Sequence, residues 1–271
     1  MASKKEVLTI IIMLIATAIG MIGQTIVSTS LNVIMTDFNI SATTVQWIMT
    51  IYILILGVMI PPTAYLTHRF KTRVLISAAL SVFTIGSIIG FLSPNIYVLI
   101  VGRILQAGGS GVLLPILQIA IFKILPESKW NITMSLVGLT IAIAPSIAPT
   151  LGGSIVDSMG WRAIFEILTA LGVIMLILTI ATTKNLSETE NYPLDFLSLI
   201  LSVLMCLGPI LGLSNITAYG LTNIPYVWAP IIIGLICLYL FAKRQGKIKD
   251  PLLNLKVLDN KYFVAEQSYL H

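Results

Sequence analysis

Apolar stretches of about 20 residues recur along the entire chain, and this pattern restricts its possible folds more than any other feature. A helix needs about 20 apolar residues to cross the hydrocarbon core of a bilayer, which is about 30 Å thick. Hydrophobic residues make up 57% of the chain and charged residues only 10%. Charged residues are about a quarter of a soluble domain. The sequence therefore predicts an all-α polytopic membrane protein.

Eight membrane spans are predicted from the lengths of these apolar stretches. Their expected bounds are Leu8–Ser30, Val45–Leu66, Arg73–Leu92, Ile96–Leu125, Ile132–Val156, Ala163–Thr182, Leu194–Leu213 and Val227–Phe241. The polar stretch over residues 183–193 is the one break in the apolar pattern, and we predict a cytoplasmic linker there.

The basic residues predict the orientation of the chain. With the N-terminus in the cytoplasm, cytoplasmic segments hold fourteen of the sixteen Lys and Arg residues, whereas Arg162 lies outside and Arg103 lies within the fourth span. Cytoplasmic loops of membrane proteins carry such an excess. We predict a multi-pass protein of the cell membrane with a cytoplasmic N-terminus. Its net charge of +5 then reflects topology, and no nucleic-acid partner is expected.

Side chains suited to catalysis or metal binding are not grouped in the sequence. The two cysteines, Cys206 and Cys237, lie in separate apolar runs and are expected to pack as small apolar side chains. The sequence contains no His/Cys cluster, phosphate-binding glycine loop or nucleophile elbow. We predict that the chain is not an enzyme and holds neither a cofactor nor a metal.

The fourth span carries Arg103 about 10 Å inside the bilayer core, at about 1.5 Å per helical residue. A charge at that depth is costly, so Arg103 is expected to face the bundle interior with a partner. Gln106 and Ser110 follow on the same face. Arg103 and Gln106 are candidates for a substrate or proton pathway, and the alternative is a structural arginine bonded to carbonyls.

The fifth span contains the stretch G-L-T-I-A-I-A-P-S-I-A-P-T-L-G-G, with Pro145, Pro149, Gly152 and Gly153. Membrane helices tolerate proline and glycine where neighbouring helices satisfy the freed carbonyls, and small residues allow close helix packing. A kinked, tightly packed helix is one interpretation of this stretch.

The second interpretation is a family motif. A-P-S-I-A-P-T-L-G-G resembles the antiporter motif A-P-x-x-G-P-x-x-G-G of the major facilitator superfamily, in its fourteen-helix drug:proton antiporter branch, with Ala148 in place of the middle glycine. Arg103 and Gln106 likewise match the R-x-x-Q-G-x-G motif of the fourth helix in that superfamily.

The first span resembles the same branch at G-Q-T-I-V-S-T-S-L-N-V, where the usual motif is L-D-x-T-I-V-N-V-A-L-P. Gln24 is interpreted as the replacement of the intramembrane Asp, and an amide cannot bind and release a proton. Gln24 and Asn32 join the candidate pathway by this resemblance. The alternative for Gln24 is an interhelical hydrogen bond.

Two connections between spans also resemble the family. A-Y-L-T-H-R-F-K-T-R resembles its cytoplasmic loop G-x-L-x-D-R-x-G-R, which implies a gate formed by His68, Arg69 and Arg73; a simple basic loop is the alternative. G-W-R-A-I-F resembles the start of its sixth helix, in which Glu166 is a candidate proton carrier. The alternative places Glu166 near the membrane surface, in contact with water.

The resemblance implies an N-terminal six-helix transporter domain over residues 1–182 and two central helices over residues 194–242. It implies a basic segment over residues 243–271 that leads into a truncated ninth helix, with the C-terminal half absent. The implied function is proton-coupled efflux of a small lipophilic substrate by a fragment or half-transporter. That half would work in the lipid bilayer with a second copy or a separate C-terminal half. A truncated, non-transporting membrane protein or a partner subunit is the alternative, and the charge of the substrate stays open.

Overall fold

A computed structural model describes residues 4–183, 195–246 and 248 of the chain. All regular structure in these residues is helical. The α-helices are α1 (Lys4–Thr25), α2 (Leu31–Asp37), α3 (Ala42–Arg69), α4 (Thr72–Phe91), α5 (Ile96–Ile124), α6 (Trp130–Met159), α7 (Arg162–Thr182), α8 (Phe196–Tyr219) and α9 (Ala229–Gln245). Short 3-10 turns at Ile26–Ser30 and Glu127–Lys129 precede α2 and α6, and a π-helical turn at Ile224–Trp228 precedes α9.

Eight helical stretches among the described residues are long and apolar enough to cross a membrane, which confirms the all-α polytopic fold. The first span is longer than predicted, because it continues past Ser30 to Asp37. Residues 184–194 and nearly all of 247–271 lie outside the described residues. The predicted linker and most of the predicted basic segment fall there and stay predictions.

The first span changes from α-helix to 3-10 helix at Ile26. The hydroxyls of Ser28, Thr29 and Ser30 each donate to the carbonyl three residues earlier, at 2.6, 2.9 and 2.7 Å. Hydroxyl side chains that bond to nearby carbonyls compete with the regular α-helical ladder. Three such residues in a row therefore account for the tighter turn, which we call the break in the first span.

Helix α5 lies at the centre of the first six spans and packs on α1, α3 and α4. Helices α4 and α5 approach backbone to backbone: a Cβ on Gly86 would lie 2.5 Å from the nitrogen of Gln106, and a Cβ on Gly102 would lie 2.8 Å from the carbonyl oxygen of Gly86. Only glycine allows this approach. It holds the face of α5 that carries Arg103 and Gln106 against its neighbours.

The loops α3–α4 and α5–α6 lie at the same end of this bundle. Exposed Lys and Arg side chains are concentrated there, at Arg69, Lys71, Arg73, Lys123 and Lys129. We call it the basic end, and we call the other the opposite end.

The contacts divide the chain into residues 1–192 and 193–271, and α8 and α9 form a hairpin in the second part. A Cβ on Gly208 would lie 2.4 Å from the carbonyl oxygen of Pro230, and one on Gly234 would lie 2.4 Å from Cδ of Pro209. Small residues at such a contact are typical of membrane helix pairs, which gain stability from close van der Waals packing.

An ion pair closes the free ends of the hairpin. Arg244 donates from Nε and Nη2 to the two carboxylate oxygens of Asp195, at 3.0 and 2.9 Å, and the amide of Ser198 donates to Oδ1 at 3.2 Å. The Arg244 guanidinium, followed by the hydroxyl and amide of Ser198, lowers the pKa of Asp195 from 3.8 to about 2. Asp195 thus caps the start of α8 and joins it to the end of α9.

Acid is expected to open this contact. Because the folded pKa of Asp195 is depressed, its contribution to stability is full above the unfolded pKa near 3.8 and is lost as pH falls towards 2. Hydrogen exchange at the first turn of α8, corrected for intrinsic rates, should therefore accelerate between pH 4 and pH 2 by several-fold, because an exposed ion pair contributes only modestly to stability.

Asp195→Asn should give fast exchange already at pH 6. The control Asp157→Asn removes an exposed carboxylate that forms no ion pair within the described residues and should leave the profile unchanged. An acid-insensitive first turn of α8 in the original chain would contradict the assignment.

Candidate functional site at the break in the first span

Arg103 is the eighth residue of α5 and is completely buried. Its guanidinium donates to the carbonyls of Gly23 at 2.8 Å, Gln24 at 3.3 Å and Ile48 at 3.3 Å. It also donates to Oε1 of Gln106 at 3.0 Å. Within the described residues no carboxylate pairs with it, so the charge is compensated by neutral oxygens.

An aromatic ring completes this environment. The guanidinium carbon of Arg103 lies 4.1 Å from the centroid of Tyr52 on α3, a cation–π contact. The Tyr52 hydroxyl donates to the carbonyl of Gly20 on α1 at 2.8 Å. Tyr52 therefore joins α3 to α1 and covers the arginine at the same time.

The carbonyls of Gly23 and Gln24 lie just before the break in the first span. At this point the helical bonding changes from α to 3-10, and carbonyls at such a transition are available for partners from neighbouring helices. Arg103 supplies those donors from α5. The buried arginine thus satisfies the carbonyls that the break in the first span makes available.

Gln106 extends the polar contacts towards α4. Its Nε2 donates to Oγ of Ser87 at 2.7 Å, and Ser87 donates to the carbonyl of Phe83 at 2.9 Å. Arg103, Gln106 and Ser87 are all buried. They form a hydrogen-bonded chain from α1 through α5 to α4, with each polar group satisfied.

Helix α6 contacts the other side of the break. It is unbroken across Pro145 and Pro149, and its buried residues within the antiporter-like motif are Ala144, Ala148 and Gly152. A Cβ on Gly152 would lie 2.6 Å from both the carbonyl oxygen of Ile26 and Oγ1 of Thr29.

The two glycines of the antiporter-like motif differ in environment. A Cβ on Gly153 would meet no atom within 4 Å, whereas Gly152 lies directly against the first span. Pro145 is half-buried and Pro149 is exposed. Gly152 is therefore the member of the pair that requires glycine for packing.

Three predicted pathway residues, Gln24, Asn32 and Glu166, do not bond to Arg103 through their side chains. Gln24 contributes its backbone carbonyl to Arg103, and its side chain is half-buried. Asn32 is exposed on α2, and Glu166 is exposed on α7, where its neighbour Phe165 is buried. Helical phase explains this for Glu166, because the next residue points about 100° away around the axis. Neither Asn32 nor Glu166 is a partner of Arg103.

The predicted gate residues lie at the basic end. Arg73 donates from Nη2 to the carbonyl of Ile180, in the last turn of α7. Arg69 donates to the hydroxyl of Tyr65 at 3.2 Å, and His68 is exposed. Arg73 therefore joins the start of α4 to the end of α7. The helix dipole favours a cation at this C-terminus.

A cluster at the opposite end was not predicted. Oδ2 of Asp37 accepts from Nε1 of Trp161 at 3.0 Å and from Nη1 of Arg162 at 2.9 Å, and Arg162 also donates to the carbonyl of Ser93 at 3.3 Å. These bonds join the ends of the first and third spans to the start of α7. The resemblance at G-W-R drew attention to Trp161 and Arg162. It did not identify their partner, Asp37, which lies beyond the predicted end of the first span.

The model of the Major Facilitator Superfamily matches residues 13–195. The chain belongs to this superfamily. It is therefore a transporter-family membrane protein and not an enzyme.

Relatives within the superfamily include named resistance proteins. The chain is 38% identical over 246 residues to the uncharacterized MFS-type transporter YcnB of Bacillus subtilis, covering 91% of the chain and 52% of YcnB. It is 36% identical over 253 residues to the lincomycin resistance protein LmrB of the same organism, covering 93% of the chain and 53% of LmrB. This major facilitator chain thus spans about half the length of the curated relatives it matches.

Solved structures agree with the fold. A peptide transporter, POT, in complex with sulfate superposes with a TM-score of 0.64 at 15% identity, over 90% of this chain and 53% of POT. A bacterial homolog of the human lysosomal transporter Spinster, inward-facing and unoccupied, gives a TM-score of 0.59 at 15% identity, over 91% of this chain and 62% of that chain. At these identities the similarity establishes the major facilitator fold alone.

Proposed function

We propose that this chain supplies the N-terminal half of a secondary active efflux transporter, a drug:proton antiporter for lipophilic compounds, with its N-terminus in the cytoplasm. The observation that carries the proposal is that the family-like motifs of the first, fourth and fifth spans meet at the break in the first span. Arg103 binds the carbonyls before the break, and Gly152 packs on the carbonyl within it. The names of the relatives, among them the lincomycin resistance protein LmrB and a multidrug resistance protein B homolog, support the efflux class.

The mechanism follows from how such transporters move. Two helical halves rock around a site near the bilayer midplane, where discontinuous helices expose backbone groups. In the proposed cycle the break is the point at which the first span bends, because its 3-10 bonds are weaker than α-helical bonds. Any bend there changes the distances from Arg103 to Gly23 and Gln24, and α6 follows through Gly152.

In this cycle Arg103 is the fixed positive charge that acts on the substrate and on the group that carries the proton. A desolvated cation held by neutral oxygens attracts anionic groups and repels cations within the low-dielectric interior. A carboxylate that carries the coupling proton must approach this cation when deprotonated and leave it when protonated. Exposed Glu166 and the half of the transporter that lies beyond this chain are the candidate sources of that carboxylate.

A non-transporting partner subunit is the second candidate function. It is favoured by the environment of Arg103, since within the described residues the buried cation has no acidic partner and the adjacent residue in the first span is Gln24. The two candidates differ in whether the chain forms a translocation pathway.

The size of the native product and its efflux activity test the proposal. An antibody to the N-terminal half should detect, in native membranes, a product either near 29.5 kDa or about twice that size, the latter matching the length of the relatives. The native product, expressed in a drug-sensitive host, should raise resistance to lincomycin or export a lipophilic dye, and a protonophore should abolish the effect.

Arg103→Gln should abolish efflux, whereas the matched control Arg162→Gln at the opposite end should reduce it less. Efflux that survives Arg103→Gln, at equal membrane abundance, would remove Arg103 from the mechanism. A native product without efflux of any compound tested would favour the partner-subunit function.

A further inference from the structure

A groove lies between α3 and α4 and opens at the surface of the first six spans. Both helices pack on α5 but barely touch each other, so α5 forms the floor of the groove. Its volume is about 340 Å³, and its walls and floor include Leu66, Phe70, Val74, Ala78, Val82 and Gly108. No lining residue carries a polar side chain.

The depth of the groove depends on Gly108. A Cβ on Gly108 would meet no atom within 4 Å, whereas a Cβ on the adjacent Gly109 would lie 2.3 Å from the carbonyl oxygen of Ala79. Gly109 therefore allows α4 to pack on α5, while Gly108 leaves space above α5.

The groove has the length of one bilayer leaflet. From Val74 to Val82 the helix rises about 12 Å, at about 1.5 Å per residue, and half of the hydrocarbon core is about 15 Å thick. It begins at the basic end and reaches towards the middle of the bilayer. A linear apolar chain entering from the surface at the basic end fits this shape.

A small cavity, with room for about one water molecule, adjoins the groove at the basic end. The two cavities share Phe70 and Leu75, and the lining of the small one, which is mostly apolar, also includes Thr67, Thr72 and Lys123. Lys71, in the loop between α3 and α4, is exposed beside Thr72. Ammonium and hydroxyl donors at the mouth of an apolar groove match a phosphate attached to an acyl chain.

We propose that this groove binds an anionic phospholipid, with one acyl chain above Gly108 and the phosphate at Thr72, Lys71 and Lys123. Free phosphate would use only the charged groups at the mouth of the groove, and an uncharged lipophilic compound would use only the groove itself. The occupant therefore combines both chemistries. Its place in the cytoplasmic leaflet rests on the proposed orientation, but the binding does not depend on efflux.

Native mass spectrometry of the purified full chain in detergent tests the proposal, with dioleoyl-phosphatidylglycerol as the probe and dioleoyl-phosphatidylcholine as the zwitterionic comparison. We expect one phosphatidylglycerol to be retained in preference to phosphatidylcholine. Gly108→Leu places a side chain in the open space above Gly108, where a Cβ meets no atom within 4 Å, and should lower this retention about tenfold or more, because each buried methylene contributes strongly to lipid binding. Gly138→Leu is the matched control, since Gly138 on α6 is equally open and lies outside the groove.

The charged part is tested separately. Lys123→Gln combined with Lys71→Gln should remove the preference for phosphatidylglycerol, while Lys129→Gln, a basic-end lysine outside both cavities, should preserve it. Equal retention of both lipids by the original chain would overturn the proposal, as would equal loss in the Gly108 and Gly138 variants. Retention of a lipophilic dye that phosphatidylglycerol does not displace would instead assign the groove to substrate. Because no step measures transport, failure here leaves the efflux proposal intact.

Discussion

Replacing Arg103 with alanine is expected to destabilise the first six spans by about 3–5 kcal/mol, the range for loss of a large, fully buried side chain. The variant would leave a cavity between α1, α3 and α5 and would leave Gln106 without its donor. The carbonyls of Gly23 and Gln24 would also lose their bonds across the interface. Thermal unfolding of the purified chain in detergent measures the effect.

Arg103→Met separates packing from charge. Methionine fills most of the volume and removes both the buried cation and the cost of burying it, so its stability should be closer to that of the original chain than Arg103→Ala. Under the proposed function, efflux should nevertheless be lost, because the methionine variant has no cation and no donors. A methionine variant that is stable and fully active would show that Arg103 acts only in packing.

A single methyl group at Gly152 is expected to have the second large effect. In Gly152→Ala the new Cβ would lie 2.6 Å from the carbonyl oxygen of Ile26, a backbone atom that cannot rotate away. Overpacking of this kind costs about 1–3 kcal/mol, and it would push α6 away from the first span. Thermal unfolding and efflux should therefore both decline.

Gly153→Ala provides a control of the same chemistry one residue away. Its Cβ would meet no atom within 4 Å, and alanine favours a helix over glycine by about 1 kcal/mol, so the variant should be as stable as the original chain or slightly more stable. If the two alanine variants unfold at the same temperature, the contact between α6 and the break in the first span does not stabilise the domain.

Much of the architecture follows from the sequence. Eight apolar runs predicted the spans to within a few residues at most boundaries, because the bilayer thickness sets the length of every such run. The burial of Arg103 within the bundle was likewise expected, since a charge inside a span must face inwards and find partners.

The first span shows where such reasoning ends. The length of the apolar stretch placed the end of the first span at Ser30, the last of three hydroxyl residues at positions 28–30. In the structure their hydroxyls bond to the backbone three residues earlier and the helix continues to Asp37. The same residue type thus tightens a helix or ends it, depending on the packing around it.

The sequence by itself predicted eight membrane-spanning helices, an arginine and a glutamine on the face of the fourth span that points into the bundle, and a proline- and glycine-rich fifth span. Only the tertiary structure decided that Arg103 binds carbonyls 79 and 80 residues away, that Gly152 rather than Gly153 contacts the first span, and that Glu166 is exposed. The physical reason is one of range. Hydrophobicity acts on each span through the uniform bilayer, whereas a hydrogen bond or a close contact depends on which atoms of distant segments come within about 3–4 Å.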